Sequence, residues 1–240
     1  MINLFILLFS LSSFAQIRNF REASKVLPHI FQDHNTTLYC GCSYTNKTVD
    51  LKSCGYLPQK DFKRAQRIEW EHIVPAHAFG QAFVEWREGS KKCFDRKKKR
   101  FYKGRKCART NALFAKMEGD LNNLYPEVGE LNGLRSNYSM AMIPYSPKVI
   151  TFGKCTAKIE DRKFDPMDPA KGIVARTYMY MDQTYPGRGI ISNKNAKLFE
   201  AWNKMYPVTA WECMRAKRIE MFQKTENLVL KSLCQKKGPN

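Results

Sequence analysis

The chain has 240 residues, with 41 Lys and Arg against 22 Asp and Glu, a formal net charge of +19 and a pI near 9.6. Hydrophobic residues make up 43% and aromatic residues 12%, which is enough apolar material for a core and excludes a disordered polymer or a basic tail. No linker rich in Pro, Gly or Ser divides the chain, so one domain is expected. A surface this positive suits a polyanionic partner: nucleic acid, an anionic membrane surface or an acidic polysaccharide.

The first fourteen residues form the one long apolar stretch, too short to span a bilayer. Ser13 and Ala15 are small residues placed as a signal peptidase reads them, so Met1 to Ala15 is expected to be a secretory signal, with residues 16–240 as the mature domain. Cys40, Cys42, Cys54, Cys93, Cys107, Cys155, Cys213 and Cys234 all follow that point. In an exported protein, eight cysteines read as up to four disulfides. Cys93 with Cys107 is the expected local pair. A zinc finger is a poor fit, because the chain has no Cys-x-x-Cys and Cys40-Gly-Cys42 is too tight.

Phe20 to Phe31 has a helical pattern interrupted by Pro28. Thr37 to Cys40 and Thr48 to Leu51 have strand character and suggest a hairpin around Tyr44 to Lys47. Gln66 to Val74 is a third strand candidate and stops at Pro75. Leu113, Phe114, Met117, Leu121 and Leu124 are spaced as one helical face. In the last third, Asp168-Pro169 starts a helix, Ser192 caps a second, and Thr209 with Glu212 forms a capping box for a third. Short strands early and helices late give an α+β class with a mainly helical C-terminal third.

Three segments carry chemistry. In Glu69-Trp-Glu71-His72, a histidine suited to general-base work stands beside a carboxylate able to hold a hard cation. Consecutive strand residues face opposite ways, so Glu71 and His72 serve one site only at a strand end or bulge. Pro75 makes such an end. His77 fits no zinc spacing and reads as structural. In Gly129 to Asn137, the amide oxygen of Asn132 is a ligand type that Mg²⁺ accepts, although Asn-Gly is first a turn signal. Lys91 to Arg109 holds eleven Lys and Arg against the single Asp95, which places +10 of the +19 in one run. Phe94, Phe101 and Tyr102 are interleaved. A charge run is usually a solvated face. Here the density favours contact with a nucleic-acid backbone through Lys97, Lys98, Lys99, Arg100 and Lys103.

Five blocks in register resemble the endonuclease I family, the periplasmic and secreted bacterial nucleases that cut DNA, and often RNA, without sequence specificity. They are Glu69-Trp-Glu-His-Ile-Val-Pro-Ala76, Met117-Glu-Gly-Asp-Leu-Asn-Asn-Leu124, Val128-Gly-Glu-Leu-Asn-Gly-Leu-Arg135, Gly172-Ile-Val-Ala-Arg-Thr-Tyr178, and Ala201 to Val208 with Trp211-Glu-Cys213. The resemblance implies a mixed body carrying a ββα-metal (His-Me finger) motif. It further implies His72 as general base, Glu71 and Asn132 as ligands of one Mg²⁺ (Mn²⁺ or Ca²⁺ as substitutes), Arg105 on the phosphate and Glu118 as a nearby acid. Asn122 stands where members often have His, the Cys93 to Cys107 loop is longer and more basic, and the stretch after Phe222 drifts.

The resulting expectation is an exported, monomeric, Mg²⁺-dependent endonuclease acting on DNA and RNA to leave 5′ phosphates, with disulfides needed for activity. The alternative is a secreted cationic protein that binds nucleic acid or an anionic surface without cutting.

Overall fold

A computed structural model describes residues 17–237. The expected secretory signal, Met1 to Ala15, lies outside the described residues. Helix α1 (Phe20–Ile30) is capped by Asn19, whose side chain accepts from the Glu22 amide, and it buries Ala23, Leu27 and Ile30. Pro28 sits inside it without ending it.

Thr37 to Cys40 is not a strand. It is a turn that buries Tyr39 and brings Cys40 to the interior. The hairpin instead pairs β1 (Tyr44–Thr45) with β2 (Thr48–Val49), and Asn46 takes the left-handed conformation (φ 57°) that the tight turn needs. Leu51, expected in a strand, opens the short α2 (Leu51–Cys54) because Asp50 caps it. Then follow α3 (Phe62–Ala65), β3 (Ile68–His72), α4 (Ala76–Gly80), which starts directly after Pro75, and α5 (Val84–Arg87).

The basic run forms a small hairpin, β4 (Phe94–Asp95) with β5 (Arg100–Phe101), and continues into α6 (Arg105–Ala108). Helix α7 (Ala112–Glu118) is shorter than the apolar stripe suggested. Gly119 ends it, Leu121 and Leu124 are buried beyond it, and Leu113 is exposed. The chain then enters β6 (Leu124–Val128) and α8 (Gly129–Arg135). Strand β6 runs antiparallel to β3 in unbroken register, from Ile68 opposite Val128 to His72 opposite Leu124. With α8 following directly, β3, β6 and α8 make a ββα unit. The Asn132-Gly133 pair lies inside α8 rather than in a turn.

A four-stranded sheet was not legible in the sequence. It contains β7 (Ser139–Met140), β8 (Ile150–Phe152), β9 (Cys155–Glu160) and β10 (Lys163–Asp165) in the order β7-β10-β9-β8. The helical third comprises α9 (Asp168–Thr184), α10 (Asn193–Met205), α11 (Ala210–Gln223) and α12 (Leu228–Lys237). Met167, not Asp168, is the α9 cap, with Asp168 and Pro169 in the first turn. Ser192 occupies the cap position of α10 without a side-chain cap bond, and the Thr209–Glu212 capping box is formed. Glu212 also accepts two hydrogen bonds at 2.8 Å from Arg176, a buried bidentate pair joining α11 to α9. Among the described residues, no helix is long and apolar enough to cross a membrane.

All eight cysteines pair: Cys40–Cys155, Cys42–Cys54, Cys93–Cys107 and Cys213–Cys234. Cys93–Cys107 is the expected local pair. Cys40–Cys155 links positions 115 apart and ties the Tyr39 turn to β9. Replacing both with alanine is expected to lower unfolding free energy by about 2–5 kcal/mol. Urea denaturation checks this, and an unchanged midpoint would refute the tie's structural importance.

Candidate active site

His72 is the last residue of β3, and the chain beyond it is pinned from two sides. Asn123 accepts from the Val74 amide (2.7 Å) and donates to the Val74 carbonyl (2.9 Å). Arg135, fully buried near the end of α8, donates to the carbonyls of His72 (3.0 Å) and Ile73 (2.6 Å). The strand end therefore cannot fray without breaking bonds that have no access to water.

The imidazole itself is buried, with the Phe20 ring 5.0 Å away. Its Nε2 lies 2.8 Å from the Glu118 carbonyl oxygen. A carbonyl can only accept, so Nε2 carries the proton and Nδ1 holds the basic lone pair. Burial, and then the Arg105 charge, lower the His72 pKa to about 4 against the pull of Glu118. The ring is thus neutral at pH 7.

Glu118, at the end of α7, also binds through its side chain. Its carboxylate accepts from Arg109 at 2.7 and 2.8 Å and from Arg105 Nε. Burial alone would push this acid up, but the two guanidinium groups outweigh it and hold the pKa below the ordinary value. Glu118 is only 1% exposed, whereas Arg105 and Arg109 are 42% and 48% exposed. The acid is therefore enclosed while its arginines still face solvent. Gly104 launches Arg105 from the hairpin, at φ 75° and ψ −159°, a conformation essentially restricted to glycine. Beside this cluster an open groove of about 810 Å³ is walled by Arg18, Arg21, Arg109, Lys116, Phe20 and Glu118.

Glu71 turns to other partners. Its Oε1 accepts from the Tyr39 hydroxyl (3.1 Å) and pairs with Arg135 (3.0 Å). Burial raises it to about 7 despite Arg135 and Tyr39. Asn132, half-buried on α8, donates to Glu69 at 3.2 Å, and Glu69 is also held by Arg64 and Arg67. The structure thus gathers His72, Arg105 and Glu118 into one cluster, while Glu71 and Asn132 each engage a different neighbour. Glu69 and Glu71 share a strand face by two-residue alternation, so Asn132 and both acids belong to one side of β3.

The donor chemistry on that side fits a hard cation, since carboxylate and amide oxygens are what Mg²⁺ and Ca²⁺ take. Burial also lifts Glu127, opposite Glu69, to about 8, with Glu71 adding to the shift. Among the described residues, no group of three or more His, Cys, Asp or Glu forms a metal cage. A cation held by Glu71 and Asn132 would keep most of its shell as water.

Lys97, Lys98, Lys99, Arg100 and Lys103 are all exposed on or next to the β4–β5 hairpin, whose base Cys93–Cys107 ties to α6. Asn122, where the resemblance expects histidine, donates to Asp120 and accepts from Asn227 in a buried network with Tyr180 and Tyr185. His77 is exposed and packs edge-on against Trp86. The residue patterns alone do not mark Arg109, Arg135 or Phe20 as parts of the site. Arg135 had a signal: it stands three residues after Asn132, on the same face of one helix. Arg109 was hidden inside the basic run.

A family profile described as Endonuclease I matches residues 12–231. A periplasmic deoxyribonuclease of Aeromonas hydrophila is 39% identical over 227 residues, covering 92% of this chain and 88% of the relative. An extracellular deoxyribonuclease of the same species is 41% identical over 226 residues, with 91% of each chain covered. Endonuclease-1 of Buchnera aphidicola subsp. Acyrthosiphon pisum is 38% identical over 228 residues, covering 92% of this chain and 84% of the relative.

Arg135→Met would leave the Glu71 carboxylate buried without its cation. The expected cost is about 3–5 kcal/mol, read as a lower thermal midpoint, and adding Glu71→Gln is expected to restore part of it. An unchanged midpoint in the single variant would contradict the clamp.

Proposed function

Because the chain belongs to the endonuclease I family, we propose that it is an exported, divalent-metal-dependent endonuclease that hydrolyses phosphodiester bonds of DNA, and of RNA, without sequence specificity. The observation that carries this reading is a neutral histidine whose Nε2–H is fixed on the Glu118 carbonyl, leaving Nδ1 to take a proton beside an exposed guanidinium.

In the proposed reaction, His72 Nδ1 removes a proton from a water molecule, and the resulting hydroxide attacks phosphorus in line. Arg105, set in place by Glu118, offsets negative charge on a nonbridging oxygen. The bond to the 3′ oxygen breaks, so products carry 5′ phosphates. Glu71 and Asn132 are the residues that would hold the cation, which when bound supplies Lewis-acid stabilisation of the departing oxygen. Glu118 acts through its neighbours, orienting the imidazole with its carbonyl and the arginines with its carboxylate.

Lack of sequence specificity follows from the chemistry of the surface. Lys97 to Arg100 and the groove arginines suit phosphates, and phosphate contacts carry no base information. A cationic protein that only binds would share this charge, but it gives no reason for a buried, proton-poor histidine beside Glu118 and Arg105.

Plasmid DNA incubated with the mature protein separates the two readings. The expected result is degradation with Mg²⁺, none with EDTA, and a rate lowered by ~10²–10⁴-fold in His72→Ala, while that variant still retards DNA in a gel. Undiminished cleavage by His72→Ala, or retardation without cleavage by the unaltered protein, would overturn the proposal.

A further inference from the structure

The hairpin that carries the positive charge also carries an exposed aromatic pair. Phe94 and Phe101 are direct partners across β4 and β5, so both rings leave the same face of the ribbon. They meet edge to face with centroids 5.2 Å apart, yet remain 45% and 49% exposed. Two large apolar rings that stabilise only a two-residue ladder do not need that exposure. Tyr102, the next aromatic residue, is engaged by Lys106, whose ammonium lies 4.9 Å from its ring centre.

The surroundings point to the ligand. The turn between the strands is Arg96-Lys97-Lys98-Lys99, all exposed, with the Asp95 carboxylate accepting from the Lys97 and Lys98 amides. Lys99 takes a left-handed conformation (φ 47°) to close the turn. The hairpin does not float. Cys93–Cys107 joins its base to α6, the Tyr102 amide donates to the Cys93 carbonyl (3.0 Å), and the Gly104 amide donates to the Trp86 carbonyl (2.9 Å). Three residues separate Phe101 from Arg105.

Exposed rings set among phosphate-seeking cations are the combination that binds unpaired bases: cations track the backbone while rings stack on base faces, whatever the sequence. A duplex keeps its base faces inside its own stack and can offer this surface only phosphates. We propose that Phe94 and Phe101 form a stacking platform for single-stranded nucleic acid, directing unpaired strands to the Arg105–His72 cluster. This rests on the nuclease reading and adds to it a preference that the cations alone cannot supply.

The test measures binding of a fluorescent oligo(dT) and of a labelled duplex of equal length, in EDTA, and cleavage of both with Mg²⁺. In Phe94→Leu/Phe101→Leu the apolar packing of the hairpin remains while the π faces are removed. The expected result is oligo(dT) affinity lowered by roughly 5–150-fold, the range for one lost base stack, with duplex affinity and duplex cleavage unchanged. Phe94→Ala/Phe101→Ala should lose at least as much on oligo(dT). Unchanged oligo(dT) affinity in the leucine variant, or equal losses on both substrates, would overturn the platform. Failure of the unaltered protein to cut either substrate would sink the nuclease reading, while the EDTA binding measurements would still decide the platform.

Discussion

Glu118 binds with both of its acceptor groups at once, and the chemistry of the site depends on that double engagement. Its carbonyl receives the His72 Nε2–H, which fixes one tautomer of a buried ring. Its carboxylate holds Arg105 and Arg109 with their outer faces in solvent. Helix α7 ends at this residue because Gly119 follows, and Gly119 leaves no room for a side chain: a Cβ there would lie 2.4 Å from the Asn19 backbone. The close approach brings the start of α1 against the site and, with it, the Phe20 ring near His72. Burial then disfavours imidazolium, and Arg105 disfavours it further.

A second constraint is the alternation of β3. Glu71 and His72 are neighbours in sequence, but the pleat sends them to different partners, one to Tyr39 and Arg135, the other to Phe20 and Glu118. Arg135 spans the difference. It pairs with the Glu71 carboxylate and donates to the His72 and Ile73 carbonyls, so one buried cation fixes both Glu71 and the strand end that presents His72. The expectation that the two residues need a strand end is met by position, since His72 closes β3. The unbroken β3–β6 register shows no bulge.

How much of this could be read in advance follows from the range of the interactions. Periodicity and caps gave α1, β3 and the Thr209–Glu212 capping box, because those signals are local. The local Cys93–Cys107 pair was equally accessible. The turn at Thr37 to Cys40 has the residue pattern of a strand because its apolar residues are buried by distant partners: Cys40 is tied to Cys155, and the Tyr39 hydroxyl reaches Glu71. The helical stripe outruns α7 for a related reason. Leu121 and Leu124 keep helical spacing but enter the core from the turn and strand after Gly119. In the site, His72, Arg105 and Glu118 could be named from motif position, but the His72–Glu118 bond runs through a backbone carbonyl, and side-chain patterns do not encode such a bond. For Arg135 the local spacing from Asn132 marks a shared helix face, but its burial against Glu71 and the His72 and Ile73 carbonyls depends on partners more than 60 positions away.

The central claim is that burial and Arg105 keep His72 neutral while the Glu118 carbonyl holds its one proton on Nε2. Nitrogen NMR of ring-labelled protein, assigned with His72→Gln, measures this directly at pH 7. The account predicts a protonated Nε2 and an unprotonated Nδ1 for His72. A proton on Nδ1 in the neutral ring, or a doubly protonated ring at that pH, would contradict it.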